Sequence, residues 1–177
     1  MKRTVMVMVA VAALCVGGTA FAQEDIKNHP KCKYSGMDRE QFAYSRMLVA
    51  YEDGTEVGTG SLRCTSLDLA INFTKTVKSV KVGDYTTKTL IDAEKAYWVI
   101  GGDVKGVMTM NPKWAFARKE GAQAFMKEHG GELATYETAL RTTYNGMAED
   151  TNYLHDAMGA MRGHNHGHEA PQHKHNH

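Results

Sequence analysis

Residues Phe42–Tyr85, FAYSRMLVAYEDGTEVGTGSLRCTSLDLAINFTKTVKSVKVGDY, carry the pattern that decides the fold. From Phe42 to Tyr51 the apolar residues alternate in two phases, Phe42/Tyr44 and then Met47/Val49/Tyr51, which predicts a strand with a bulge at Ser45-Arg46. Asp53-Gly54 tolerates positive φ and marks a hairpin turn, so Thr55–Gly60 returns as the partner strand. Thr65-x-x-Asp68 reads as a capping box, and Leu67, Ala70, Ile71 and Thr74 fall at i, i+3, i+4 and i+7. A helix is expected there, with Cys64 just before its N-terminus. Val80 and Val82 then alternate with polar groups in Lys78–Tyr85, giving a further strand and the order β-β-α-β.

Working outward, the second half repeats that order. Ala96–Ile100 (AYWVI) and Trp114–Ala117 read as strands, and Lys119–His129 as a helix whose inner face carries Ala122, Phe125 and Met126. Gly130-Gly131 ends that helix and Leu133–Tyr136 closes the unit. His129, at the helix end, is read as a cap for the last turn rather than a metal ligand. Two units of about 45 residues are too small to hold separate cores, so they must pack together. The expected class is α+β, with two small β-β-α-β lobes at 32–86 and 87–137 within a domain spanning 23–137. Residues 138–162 are expected to be helical.

The two ends read differently. Lys2 and Arg3, the apolar run Val5–Val16 and Ala20-Phe21-Ala22 form a secretory signal pattern over residues 1–22, with cleavage after Ala22. The run is shorter than the ~20 residues of a membrane span, so no span is expected after cleavage and the expected compartment is the periplasm. Gln23–Lys31 is polar without period and predicts an extended lead-in. Residues 163–177, GHNHGHEAPQHKHNH, hold six of the nine histidines and no apolar anchor, which predicts a disordered tail. With 21 basic and 20 acidic side chains and no basic stripe, nucleic acid is a poor partner.

The chemistry concentrates on sulfur. His29, Cys32 and Met37 lie within nine residues around Gly36, a soft ligand set that favours Cu(I) over zinc. Cys64 is a candidate second sulfur, its pKa lowered by the helix N-terminus, and Lys31 and Lys33 favour a thiolate at Cys32. An exported pair Cys32/Cys64 can equally form a disulfide. Met108 and Met110, in a stretch bounded by Gly106 and Pro112, would present both thioethers on one side if extended. The histidine tail could gather Cu(II), Ni(II) or Zn(II). Neither G-x-S-x-G nor H-E-x-x-H nor C-x-x-C occurs, so an enzyme is the lesser reading.

These residues resemble the NosL family, exported copper-binding accessory proteins associated with nitrous oxide reductase. Cys32-Lys33-Tyr34-Ser35-Gly36-Met37 is similar to the family's C-x-x-C-G-M motif, and Arg63-Cys64-Thr65 to its cysteine before the first helix. Asp92–Gly101 (DAEKAYWVIG) is similar to its D-A-x-x-A-Y-Y-V-x-G segment, and Gly106-Val107-Met108 to its G-x-M. Trp114–Ala117, Ala124-Phe125 and His129-Gly130-Gly131 resemble its P-F-A, A-F and H-G-G. The resemblance implies Cu(I) held by Cys32 and Met108, in lobes related to the organomercurial lyase fold. Ser35 departs from the pattern by standing where the second cysteine is usual, so Cys64 or Met37 must supply any third ligand.

The expected function is a periplasmic Cu(I) carrier that delivers copper to a cuproenzyme such as nitrous oxide reductase, as a monomer or a metal-bridged dimer. Its candidate ligands are Cys32, Met108, Met37, Cys64, Met110 and His29. The alternatives are a thiol-dependent lyase or redox enzyme using Cys32 and Cys64, and a disulfide-stapled metal buffer acting through its tail.

Overall fold

The computed structural model describes residues 23–165, so the signal-peptide reading of residues 1–22 and tail residues 166–177 lie outside the described residues. The chain folds through α1 (Glu24–Asn28), β1 (Met47–Tyr51), β2 (Glu56–Thr59), α2 (Leu62–Ile71), β3 (Val77–Gly83) and β4 (Leu90–Asp92). It continues through β5 (Tyr97–Ile100), β6 (Lys113–Phe116), α3 (Lys119–His129), β7 (Glu132–Ala134), α4 (Tyr136–Asn145) and α5 (Met147–Asn165). The strands form two antiparallel sheets, one ordered β2-β1-β3-β4 and the other β6-β5-β7. The α+β class follows directly.

The alternation seen in the sequence sets the register of the first sheet. Met47 stands opposite Thr59 and Val82, and Val49 opposite Val57 and Val80, so one face of β1 is buried and the other half-covered. In the second sheet Trp98 lies opposite Ala115 and Ala134. Its indole donates to the Ala93 carbonyl at 2.8 Å. One apolar cluster joins Met47, Val49 and Val82 of the first sheet to Trp98 and Ala115 of the second and to Ala139 of α4. A second gathers Val99, Trp114, Phe116 and Phe125 beneath α3.

Asp84 stitches the sheets together. It bridges in parallel to Ala115, and its carboxylate accepts the N–H of Ala117 at 2.8 Å and of Thr87 at 2.7 Å. Between the sheets lies a cavity bordered by Ser61, Arg63 and Trp114. Their Oγ, Nε and Nε1 atoms are buried without a hydrogen-bond partner of proper geometry among the described residues. Groups of this kind are ordinarily satisfied by ordered water.

Four expectations are corrected. The lead-in is not extended: α1 forms, and its Asp25 reaches the interior, where it accepts from Arg39 Nη2 at 2.8 Å and from Arg46 Nε and Nη2 at 2.8 and 3.0 Å. Both guanidiniums are fully buried. Those of Arg39 place their remaining donors on the carbonyls of Thr59, Asp25, His29 and Met47. The polarity that suggested a loop is thus an internal ion network, tolerable only because each charge is paired and hydrogen-bonded.

The same network shortens β1. Residues 39–45 run in turns because Arg46 is turned inward onto the Ala43 and Lys88 carbonyls, and the irregularity sits at Ala50/Tyr51 instead of Ser45-Arg46. Helix α2 begins at Leu62, not after Thr65. Thr65 is buried inside it, with its hydroxyl against Thr59 Oγ1 at 2.6 Å and Met47 Sδ at 3.3 Å. Finally, the C-terminal helical stretch is two helices, broken at Gly146, and α5 runs on to Asn165. Thr135 caps the first of them by accepting the Thr138 N–H at 3.2 Å.

Candidate metal centre

The loop from Lys31 to Asp38 closes as a tight hairpin around Cys32. Lys31 and Asp38 form an isolated bridge, Cys32 N–H donates to the Met37 carbonyl at 2.8 Å, and Gly36 N–H donates back to the Cys32 carbonyl at 2.9 Å. Gly36 takes φ 70°, in the left-handed region that glycine enters without a side-chain clash. A further bond, Lys33 N–H to the Gly58 carbonyl at 3.1 Å, lays the loop along β2. This brings Cys32 against Gly60, where an added Cβ would lie 3.8 Å from its sulfur. Cys64 is the third residue of α2, in the first turn after Gly60. The loop and the helix start therefore bring the two thiols together, both buried and both free.

Their acidities diverge. The Cys64 thiol donates to the Cys32 sulfur, burial works against ionisation, and the Ser35 hydroxyl together with the Ser35 and Tyr34 N–H groups adds donors, so Cys32 is held down at about 4. Cys64 is pushed up by that same hydrogen bond, by burial and by the charge on Cys32, which the nearby Ser35 and Ser61 hydroxyls only partly offset. The site is a thiolate beside its protonated partner. Hydrogen-bond donors hold the thiolate, rather than the flanking lysines that the sequence suggested. Lys33 turns instead to Asp68 Oδ1 at 3.4 Å, with its ammonium 5.3 Å from the Tyr34 ring centre.

Two contributors escaped the sequence reading. Ser35, taken there as a lost cysteine, supplies donors to both sulfurs. Asp68, read as a capping residue, is fully buried beneath the loop. It accepts from the Tyr34 hydroxyl, from Tyr51 Oη at 2.5 Å and from Asn72 Nδ2 at 3.2 Å. Burial and the neighbouring Asp68 push both tyrosines up, so they stay neutral donors. Nothing in the sequence hinted at this role for Asp68: the face read as apolar, Leu67, Ala70, Ile71 and Thr74, leaves it out, whereas the buried side of α2 carries Leu62, Cys64, Thr65 and Asp68 and leaves Ile71 exposed.

The methionines divide. Met37, tied through its carbonyl to Cys32, packs against the same apolar cluster as Met108. Met108 adopts φ 61°, so the Met108-Thr109-Met110 stretch is not extended and its thioethers do not share a side. Met108 is half-buried, while Met110 is 64% exposed. His29 follows α1 and is engaged through its carbonyl with Arg39 at 2.6 Å. His129 pairs with Asp103 at 2.9 Å beside the Phe125 ring. Among the described residues, no group of three or more His, Cys, Asp or Glu side chains could hold a metal ion.

Fold and site together define a class: a two-sheet α+β protein with two buried free cysteines, one of them in a hairpin that also carries a methionine. The NosL family model matches residues 23–142, and the chain belongs to the NosL family. The crystal structure of the copper chaperone NosL from Shewanella denitrificans is similar to it, with a TM-score of 0.50 and 22% identity over 60% of this chain and 87% of that one. No curated protein matches the chain. No helix among the described residues is long and apolar enough to cross a membrane.

Proposed function

We propose that this protein is an exported Cu(I) carrier that holds copper at Cys32 and passes it to a cuproenzyme such as nitrous oxide reductase. The observation that carries this reading is the pair of buried free thiols, Cys64 and Cys32, the latter in a hairpin that also carries Met37, which packs on the same cluster as Met108. Thiolate and thioether sulfur select the cuprous ion. The similar structure is that of a copper chaperone, which supports the same cargo. Cys32 is the strong ligand and Met108 the second, with Met37 or Cys64 completing a low-coordinate site; Met110 and His29 are outer donors. An under-coordinated ion is open to attack by the ligands of a receiving protein, so cargo leaves by stepwise exchange.

In the same reading residues 1–22 direct export and are cleaved after Ala22, and residues 23–137 form the metal-binding unit. The tail histidines gather Cu(II), Ni(II) or Zn(II) outside it. The test is anaerobic Cu(I) competition between the reduced mature protein and a chromogenic chelator, with X-ray absorption at the copper edge. Cys32→Ser and Met108→Ala should each weaken binding and remove a sulfur scatterer; unchanged affinity in both ends the proposal. A low-pKa thiolate is also what a thiol enzyme requires. Turnover of an organomercurial or a disulfide substrate without tight Cu(I) binding would favour that second reading.

A further inference from the structure

Met108 is one of two non-glycine residues with positive φ among the described residues, the other being Lys88. A methionine in that region is strained and persists only where its surroundings over-determine it. Local contacts supply part of the constraint. Thr109 Oγ1 accepts the Asn111 N–H at 3.1 Å, and Gly106 packs so closely that an added Cβ would lie 2.6 Å from the Thr109 carbonyl oxygen.

The remaining constraint comes from far along the chain. Asp150 in α5 is buried, and its Oδ1 accepts the Met110 N–H at 2.8 Å. Lys113 is the cation that faces this carboxylate. The next residue, Thr151, accepts from Arg63 Nη2 at 2.8 Å, and Arg63 directly precedes Cys64. Two adjacent residues of one helix thus touch both elements of the candidate centre, the methionine loop and the first turn of α2. Helix α5 starts at Met147, beyond the 23–142 span of the family match.

We propose that Asp150 is a positioning residue for the metal centre. By fixing the Met110 N–H it keeps Met108 in its left-handed conformation, with the thioether on the cluster shared with Met37. This rests on the reading of Met108 as a copper ligand. The experiment is Cu(I) competition and copper-edge absorption on the reduced mature protein and its variants. Asp150→Ala removes the acceptor and should weaken Cu(I) binding by about tenfold or more, the range seen when a group supporting a metal ligand is lost. It should also remove one sulfur scatterer, as Met108→Ala does. Asp150→Asn keeps an acceptor oxygen and should restore binding, and the Cys32 thiolate absorbance near 240 nm should not change in either variant. If alanine prevents folding, Asp150→Leu fills the space without an acceptor and takes its place. Normal affinity in the acceptor-free variant, with Met108→Ala impaired, overturns the positioning role alone. Normal affinity in Met108→Ala removes the ligand reading and this inference with it.

Discussion

The thiol of Cys64 donates its hydrogen bond to the sulfur of Cys32, and this one contact moves the two acidities in opposite directions. The mature protein should therefore show one thiolate absorbance step near 240 nm, centred at about pH 4, and no second step in the ordinary cysteine range. Cys64→Ala removes the strongest donor and should move the remaining step upward by more than one pH unit. A step that stays in place would mean that the Ser35 and backbone donors suffice.

Stability should follow the same asymmetry. Cys32 has a depressed folded pKa, so its contribution is fully present above the unfolded cysteine pKa of about 8.5 and is lost as pH falls toward about 4. Cys64 has a raised folded pKa, so it costs stability only above that unfolded value. Between pH 5 and 8 the urea midpoint of the reduced protein should rise with pH, and the slope should flatten in Cys32→Ser.

The Asp25 carboxylate is bonded to both Arg39 and Arg46. Burial raises its pKa, yet the two guanidiniums hold it below the usual value. Asp25→Asn would remove the counter-charge from the buried Arg39 guanidinium and weaken its hold on Arg46, so the expected loss is about 3–5 kcal/mol. In the wild type this contribution is present above the normal carboxylate pKa and fades as pH falls through the lowered one. Chemical denaturation of the variant, with the acid limb compared at pH 3 and 6, checks both statements.

Asp68→Ala should cost about 1–3 kcal/mol by leaving the buried Tyr51 hydroxyl and its Tyr34 neighbour without their acceptor. It should also loosen the Cys32 loop, read as faster amide exchange at Lys33 and Gly36. If exchange there is unchanged while stability falls, Asp68 supports the core and not the loop.

Gly83 has ordinary φ but no room. A Cβ added there would lie 2.1 Å from the Ala43 carbonyl oxygen, an atom of rigid backbone. Gly83→Ala should destabilise by at least ~2 kcal/mol, within the range for overpacked interiors. A thermal midpoint within a degree of wild type would contradict this packing.

The sequence by itself determined the β-β-α-β runs over residues 47–83 and 97–134, though not α1 or β4, because period-two alternation in Met47–Tyr51 and the i, i+3, i+4 face of Lys119–His129 are local properties of the chain. It also determined which sulfur atoms were worth following, since thiol and thioether chemistry needs no geometry to be noticed. Tertiary structure alone decided that Asp25 belongs inside: a charged residue in a polar run is buried only when distant guanidiniums arrive to pair it. The same is true of Asp68 and Ser35, whose roles depend on hydrogen bonds from groups far apart in the chain. Cys64 became the partner that sets the acidity of Cys32 only when the hairpin at Gly36 and the start of α2 met. Met108 was visible as a methionine, but its left-handed backbone and its tie to Asp150 through Met110 exist only where α5 returns to the loop. Local pattern fixes elements because each residue's preference acts on its own turn or strand. Sites are decided by long-range contacts, where burial determines which charges and donors must find each other.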